Sequence, residues 1–370
     1  MPNMLDYIAW RGDLGFESSA LNEVDSLIFS ELAYIKMDGI APESDGETVT
    51  LRELERLYRA AGYDQSFLVN DPYHTLASAA LSARFGGIRV GRYVNRVEHD
   101  SQVQFSAATF FLPGGDVFVA YRGTDNTTVG WREDFNMNFL SVTPGQAQAA
   151  EYLNAAFGAA KGGVYVGGHS KGGNFAVYAA AFANHPEKAE RLRAVYSFDG
   201  PGFNRAVAEK EEYAAVLPKI TKIVPESSII GMLLITREPI TPVKSEAKGI
   251  QQHNPYNWQL LGANFLRAEA VTGTFADEAL KKWCDSLNEN QWRCLCDAVF
   301  GALDASGATT LYEINSNKLT NYNAIARALF STDKTVYKGF TEAVKLLAVS
   351  GKDAVIDSTR RKREHSEKRR

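Results

Sequence analysis

The run Gly168-His169-Ser170-Lys171-Gly172 has the G-x-S-x-G form of a nucleophile elbow, where a strand turns sharply into a helix and lifts a serine hydroxyl clear of the backbone. The short apolar strand Val164-Tyr165-Val166 precedes it, and the alanine-rich stretch from Asn174 to Phe182 reads as the helix that follows. Such a turn forces the serine into a strained conformation, and the flanking glycines remove the Cβ atoms that would clash there. The helix N-terminus also offers free amide groups to negative charge developing near the serine oxygen. The plain alternative is an ordinary serine in a glycine-rich strand-to-helix turn.

A serine hydroxyl needs a base, and the base needs an acid to orient it. The chain has six histidines. His169 lies inside the elbow and faces the wrong way for a base; His185 sits near a helix end before Pro186, and His365 falls in the last residues. His74 and His99 precede the elbow, against the Ser, acid, His order of this arrangement. His253 remains, in a loop after the last expected strand. For the acid, Asp199 directly follows the strand Ala194–Phe198, on the rim where the elbow should open; Glu226, after the next strand, is the rival. Asp199 can also be read as a simple turn former before Gly200-Pro201-Gly202.

Tyr121-Arg122-Gly123-Thr124 ends a strand that precedes the elbow, the place where the second oxyanion donor belongs. Trp131 and Asp134 follow in a threonine-rich segment able to fold over the site as a lid. Lys171 places a cation at the positive end of the helix dipole, so an acidic neighbour such as Glu133 or Asp134 is expected beside it; the competing role is pairing with an anionic group on a substrate.

From Tyr121 through Asp134 to Gly173 the chain resembles the class 3, fungal-type lipases of the α/β-hydrolase superfamily. Arg122-Gly123-Thr124, Trp131 and Asp134 match one group of their positions, and Gly168 to Gly173 matches their elbow. The resemblance implies Ser170 as nucleophile, Thr124 and the Lys171 amide as oxyanion donors, and Asp134 as the support of the oxyanion loop. Two departures stand out. Lys171 replaces the leucine after the nucleophile, and Pro225-Glu226-Ser227-Ser228 has serine where those lipases carry their acid. Phe198-Asp199-Gly200-Pro201 instead looks like the acid segment of pancreatic-type lipases, which favours Asp199. The chain as a whole resembles an uncharacterised group of bacterial lipase-like proteins, over nearly everything but its basic end.

These residues must be held at strand ends. Val103 to Leu112 and Val117 to Tyr121 flank Pro113-Gly114-Gly115-Asp116, a hairpin signal. Beyond it, strands and helices alternate with short links up to the strand Ile220–Val224, which indicates a parallel sheet covered on both faces. Residues 1–85 read as helices packed on this core. Asn22 caps one that buries Val24, Leu27, Ile28, Leu32 and Ile35; Thr50 and Glu53 form a capping box; Asp71-Pro72 opens a third. The expected organisation is a helical part at 1–85, an α/β-hydrolase core at 86–265, a helical region at 266–357 and a disordered basic tail at 358–370.

Composition narrows the class. At 370 residues, 45% hydrophobic and 23% charged, the chain is an ordinary globular protein with a net charge of −4, and gives no electrostatic case for nucleic acid. From Arg360 onward, seven Lys/Arg face two Glu; this is read first as a solvated end and second as a weak contact for anionic membrane surfaces. Cys284, Cys294 and Cys296 make no disulfide framework or metal-ligand spacing, and no cofactor or metal is expected. Acidic residues interrupt the N-terminus where a leader would be apolar, so the cytoplasm is the default location. The expected activity is that of a serine hydrolase cleaving small-molecule or lipid carboxylic esters. Thioesterase, amidase and acyltransferase chemistry would use the same residues, and a pseudo-hydrolase that only binds is the alternative from another class.

Overall fold

The computed structural model describes residues 1–63, 70–125, 127–269, 279, 282–284, 286–305, 307, 309, 310, 313, 334–339, 341, 342 and 345. The expected tail at 358–370 lies outside the described residues, as does most of the 266–357 region. In chain order the elements are α1 (Met4–Arg11), α2 (Glu23–Leu32), β1 (Val49–Thr50), α3 (Leu51–Ala60), α4 (Asn70–Leu81), β2 (Arg89–Glu98), β3 (Val103–Phe111), β4 (Val117–Tyr121), α5 (Thr128–Asn136), α6 (Pro144–Ala159), β5 (Val164–His169), α7 (Lys171–Phe182), α8 (Lys188–Arg191), β6 (Leu192–Phe198), α9 (Arg205–Ala208), α10 (Glu211–Val216), β7 (Ile220–Pro225), β8 (Ile240–Val243), β9 (Leu260–Leu261), β10 (Asn264–Phe265) and α11 (Glu289–Asp304).

Local signals set the helix starts. Asn22 and Asp25 close a capping box on α2, and Thr50 and Glu53 do so on α3. Strands β1 to β8 form one sheet in chain order, antiparallel from β1 to β4 and parallel from β4 to β8. This is an α/β-hydrolase-like fold.

Strand order has a consequence for the layers. Right-handed crossovers between parallel strands that advance in one direction put every connecting helix on the same face. Accordingly α6, α7 and α10 pack side by side. They bury Val117, Val119, Val164, Val166 and Val195 beneath them. The alternate residues of those strands, among them Phe118, Ala120 and Phe198, point to the other face. No crossover helix can cover that face, so α2 does, laying Leu27, Ile28 and Phe29 across β4, β5 and β6. The Phe29 ring lies 4.9 Å from Phe110 and 5.3 Å from Phe118.

The N-terminal segment is locked by a buried ion pair. Arg84 Nε donates to Asp25 Oδ1 at 2.8 Å and its Nη2 to Oδ2 at 2.5 Å, while Nη1 donates to the Leu14 and Ser19 carbonyls. Both side chains are fully buried. At the other end of the chain α11 packs on α5, where Phe135 meets Trp292 and Phe300 edge-to-face. Among the described residues no helix is long and apolar enough to cross a membrane.

Candidate active site

Ser170 occupies the turn between β5 and α7 with φ 59° and ψ −132°, a conformation that costs a β-carbon-bearing residue on the order of 1–3 kcal/mol. The glycines make the turn possible. A Cβ at Gly168 would fall 2.3 Å from the Gly172 carbonyl group, and one at Gly172 would fall 2.1 Å from the Tyr121 carbonyl oxygen. The Ser170 amide donates to the Phe198 carbonyl at 2.9 Å, which ties the elbow to the end of β6.

Asp199 follows β6 with φ 48° and is fully buried. Its Oδ2 lies 2.6 Å from His253 Nδ1. Its Oδ1 accepts from the Ser228 hydroxyl and from the Gly231 amide at 3.2 Å. Ser228 stands in the segment where the lipase pattern would carry an acid, and here its hydroxyl serves the aspartate of the neighbouring strand. Glu226 is placed elsewhere: its Oε2 accepts from Lys244 Nζ at 2.8 Å. The structure brings Ser170, Asp199 and His253 together and leaves Glu226 out.

His253 sits in a loop of two short 3-10 turns, Gly249–His253 and Pro255–Asn257. The loop is held from inside. Trp258 Nε1 donates to the Gln252 carbonyl at 2.7 Å, and Gln252 Oε1 accepts from the Ser227 amide at 3.1 Å.

On the oxyanion side, the Thr124 hydroxyl donates to Asp134 Oδ2 at 2.6 Å. Burial pushes the Asp134 carboxyl up to about 6, against the opposing pull of Lys171 and the Thr124 hydrogen bond. The threonine-rich segment expected to be able to fold over the site is helix α5, capped by the Thr127 hydroxyl on the Gly130 amide. Trp131 on α5 is 40% exposed at the cavity mouth. The Lys171 side chain is 1% exposed; its Nζ donates to Glu133 Oε2 at 3.0 Å and to Gln104 Oε1 at 2.6 Å. The ammonium thus has the acidic neighbour that the helix dipole demands.

One cavity of about 810 Å³ opens over these groups, lined by Ser170, His253, Thr124, Lys171, Asp134 and Trp131. One wall is apolar, built from Phe135, Met137, Leu233, Leu234, Trp283 and Trp292. The lining also includes Glu31, Tyr34, Asp71, His169 and Tyr256. Sequence reading missed Glu31 and Tyr34. Glu31 in the last turn of α2 and Tyr34 just past its end look, in the sequence, the same as a solvent-facing helix end. Among the described residues no cluster of His, Cys, Asp and Glu is arranged to hold a metal.

The model of the Mbeg1-like family matches residues 79–301. No curated protein matches the chain. A crystal structure of M37 lipase overlays with a TM-score of 0.34 at 16% identity, covering 57% of this chain and 70% of that one. A native Rhizomucor miehei lipase propeptide complex overlays with a TM-score of 0.35 at 14% identity, covering 59% of this chain and 83% of the other.

Proposed function

This chain belongs to the Mbeg1-like family, and we propose that it is a lipase-like serine hydrolase cleaving carboxylic esters with apolar acyl groups. One observation carries the reading: Ser170, held at positive φ, shares a cavity with His253, whose Nδ1 lies 2.6 Å from the buried carboxylate of Asp199. In this mechanism His253 Nε2 takes the Ser170 proton as Oγ attacks the ester carbonyl. Asp199 accepts from Nδ1–H, fixing the tautomer and stabilising the imidazolium. The Lys171 amide and Thr124 face the developing oxyanion, with Asp134 steadying Thr124; a donor of this kind contributes roughly 10²–10³ in rate. His253 then returns the proton to the leaving alcohol oxygen, the acyl group remains on Ser170, and water repeats the sequence to release the acid.

The apolar wall of Phe135, Leu233, Leu234, Trp283 and Trp292 supports an acyl chain rather than a polar group on that side. The buried Lys171–Glu133 pair argues against Lys171 as a receptor for substrate anions. Membership of the class 3 lipases belongs to the same proposal, supported by the Thr124–Asp134 hydrogen bond. Ser170→Ala and His253→Ala should each lower ester turnover by about 10³- to 10⁶-fold, with little further loss when combined. A fluorophosphonate probe should label the wild type and not Ser170→Ala. Absence of labelling in the wild type would leave a binding protein in place of an enzyme.

A further inference from the structure

Three side chains of the cavity lining take no part in the steps above: the buried Glu31 and His169, and the half-buried Tyr34. His169 Nε2 lies 2.8 Å from the backbone carbonyl oxygen of His253. A carbonyl can only accept, so Nε2 carries the ring proton. Nδ1 is then an acceptor, and the Tyr34 hydroxyl stands 3.1 Å from it. That hydroxyl is also 3.3 Å from the His169 carbonyl; with one proton to give, it gives it to the nearer Nδ1. Among the described residues Glu31 Oε1 has no hydrogen-bond partner, and it sits 3.4 Å from the same Nδ1. Burial, with the nearby His253, holds His169 well below the usual histidine range, so the ring is neutral and only its tautomer is at issue.

We propose that Tyr34, His169 and Glu31 are positioning residues for His253: Tyr34 selects the His169 tautomer that donates to the His253 backbone, and Glu31, whose Oε1 stands 3.4 Å from His169 Nδ1, is the group whose charge can reverse that choice. The inference rests on His253 being the base. Tyr34 reaches the oxyanion side as well, since a Cβ at Gly123 would fall 2.1 Å from its hydroxyl. A single phenol therefore touches the turn that carries Ser170 and the loop that carries Thr124, while its proton sets the ring behind His253.

Glu31 gives the arrangement a pH dependence. The groups facing it are His169, Tyr34, Asp71 at the start of α4, and Tyr256 from the His253 loop; Arg122 acts on Tyr34. Burial first, and then the Asp71 charge, push the Glu31 carboxyl up to about 8. Below that value it is neutral. Above it, a carboxylate 3.4 Å from Nδ1 draws the ring proton to that side. Nε2 then turns a lone pair toward the His253 carbonyl, and the contact becomes repulsive.

The test is steady-state kinetics on a soluble ester from pH 6 to 10, with wild type, Tyr34→Phe and Glu31→Gln. Tyr34→Phe should lower kcat roughly 10- to 100-fold while KM stays within about twofold, because the base is displaced and the cavity is not. Wild-type kcat should fall above about pH 8, and Glu31→Gln should remove that fall. A purely structural role would instead lower the melting temperature and scale kcat equally at every pH. The low-field proton NMR signal of the His253–Asp199 hydrogen bond should shift in Tyr34→Phe, and it is readable with or without ester turnover. Failure of the catalytic reading is thus separable from failure of this one. Wild-type kcat and an unmoved proton signal in Tyr34→Phe, or an alkaline fall that persists in Glu31→Gln, would overturn the proposal.

Discussion

The two helical additions, before and after the sheet, do different work. Helix α2 supplies a layer that the strand order cannot supply for itself, and it is anchored by a fully buried charge pair, Asp25 with Arg84. Helix α11 packs on α5, through a small cluster of Leu287, Trp292 and Leu295 with Phe135 and Phe139 against it. One addition completes the core and brings protonable groups under the site; the other roofs the cavity with aromatic rings. The Mbeg1-like match begins at residue 79, so Glu31 and Tyr34 lie outside the matched segment while Trp292 lies within it. A segment's share of the fold's stability and its share of the family pattern are separate quantities.

The contrast can be broken most forcefully at Arg84. Arg84→Met leaves Asp25 buried without its cation, and global stability should drop by about 3–5 kcal/mol in urea unfolding. A drop below about 1 kcal/mol would mean that the N-terminal layer is not part of the cooperative core.

The next effect is a pH dependence of stability. Glu31 binds its proton more tightly folded, at about 8, than unfolded near 4.5, so its contribution is fully present below 4.5 and is lost as pH rises through 8. Glu31→Gln should flatten the fall in unfolding free energy, read from urea curves between pH 5 and 9, by no more than a few kcal/mol. Equal slopes in the two proteins would place Glu31 in a wetter setting than its burial indicates.

A third, smaller effect belongs to the roof. Trp292→Ala should leave kcat/KM for a short acyl ester near wild type and lower that for a long one about tenfold, with the main unfolding transition little moved. Loss of the main transition would show α11 to be core after all. The smallest effect lies outside both regions: Glu226→Gln removes a half-exposed pair with Lys244 and should change stability by less than about 1 kcal/mol. In ester turnover the same Glu226→Gln should stay near wild type, whereas Asp199→Asn should cost about 10⁴ in kcat.

Much of this was legible in the chain. Glycine at 168 and 172 marks a turn that only glycine permits, and Asp199 and His253 stand directly after strands or their loops. The strand β8 was missed because Pro242 interrupts Ile240-Thr241-Pro242-Val243; such a strand is tolerated at a sheet edge, where β7 is its strand partner and its outer side meets only a short bridge, Val243 with Arg267. Helix α5 carries no helix signal in the sequence because its threonines and glycine have weak helix propensity; a threonine cap and the packing of α11 outweigh that. Glu31 and Tyr34 were illegible for a different reason. Whether a polar side chain on a helix faces water or a partner depends on a strand more than a hundred residues away.

Because β1 to β8 lie in the order in which they are written, each strand finds its neighbour as soon as it is made, and none must wedge between two that have already joined. Closure between successive strands therefore never spans more than the segment from Tyr121 to Val164, and the sheet can grow by addition at one edge. The contacts around His169 obey no such order: Glu31 precedes it by more than a hundred residues and His253 follows it by 84. Growth of the scaffold and closure of the site are thus separate events in the life of the chain. The sheet can be finished while the histidine behind the serine still waits for both ends.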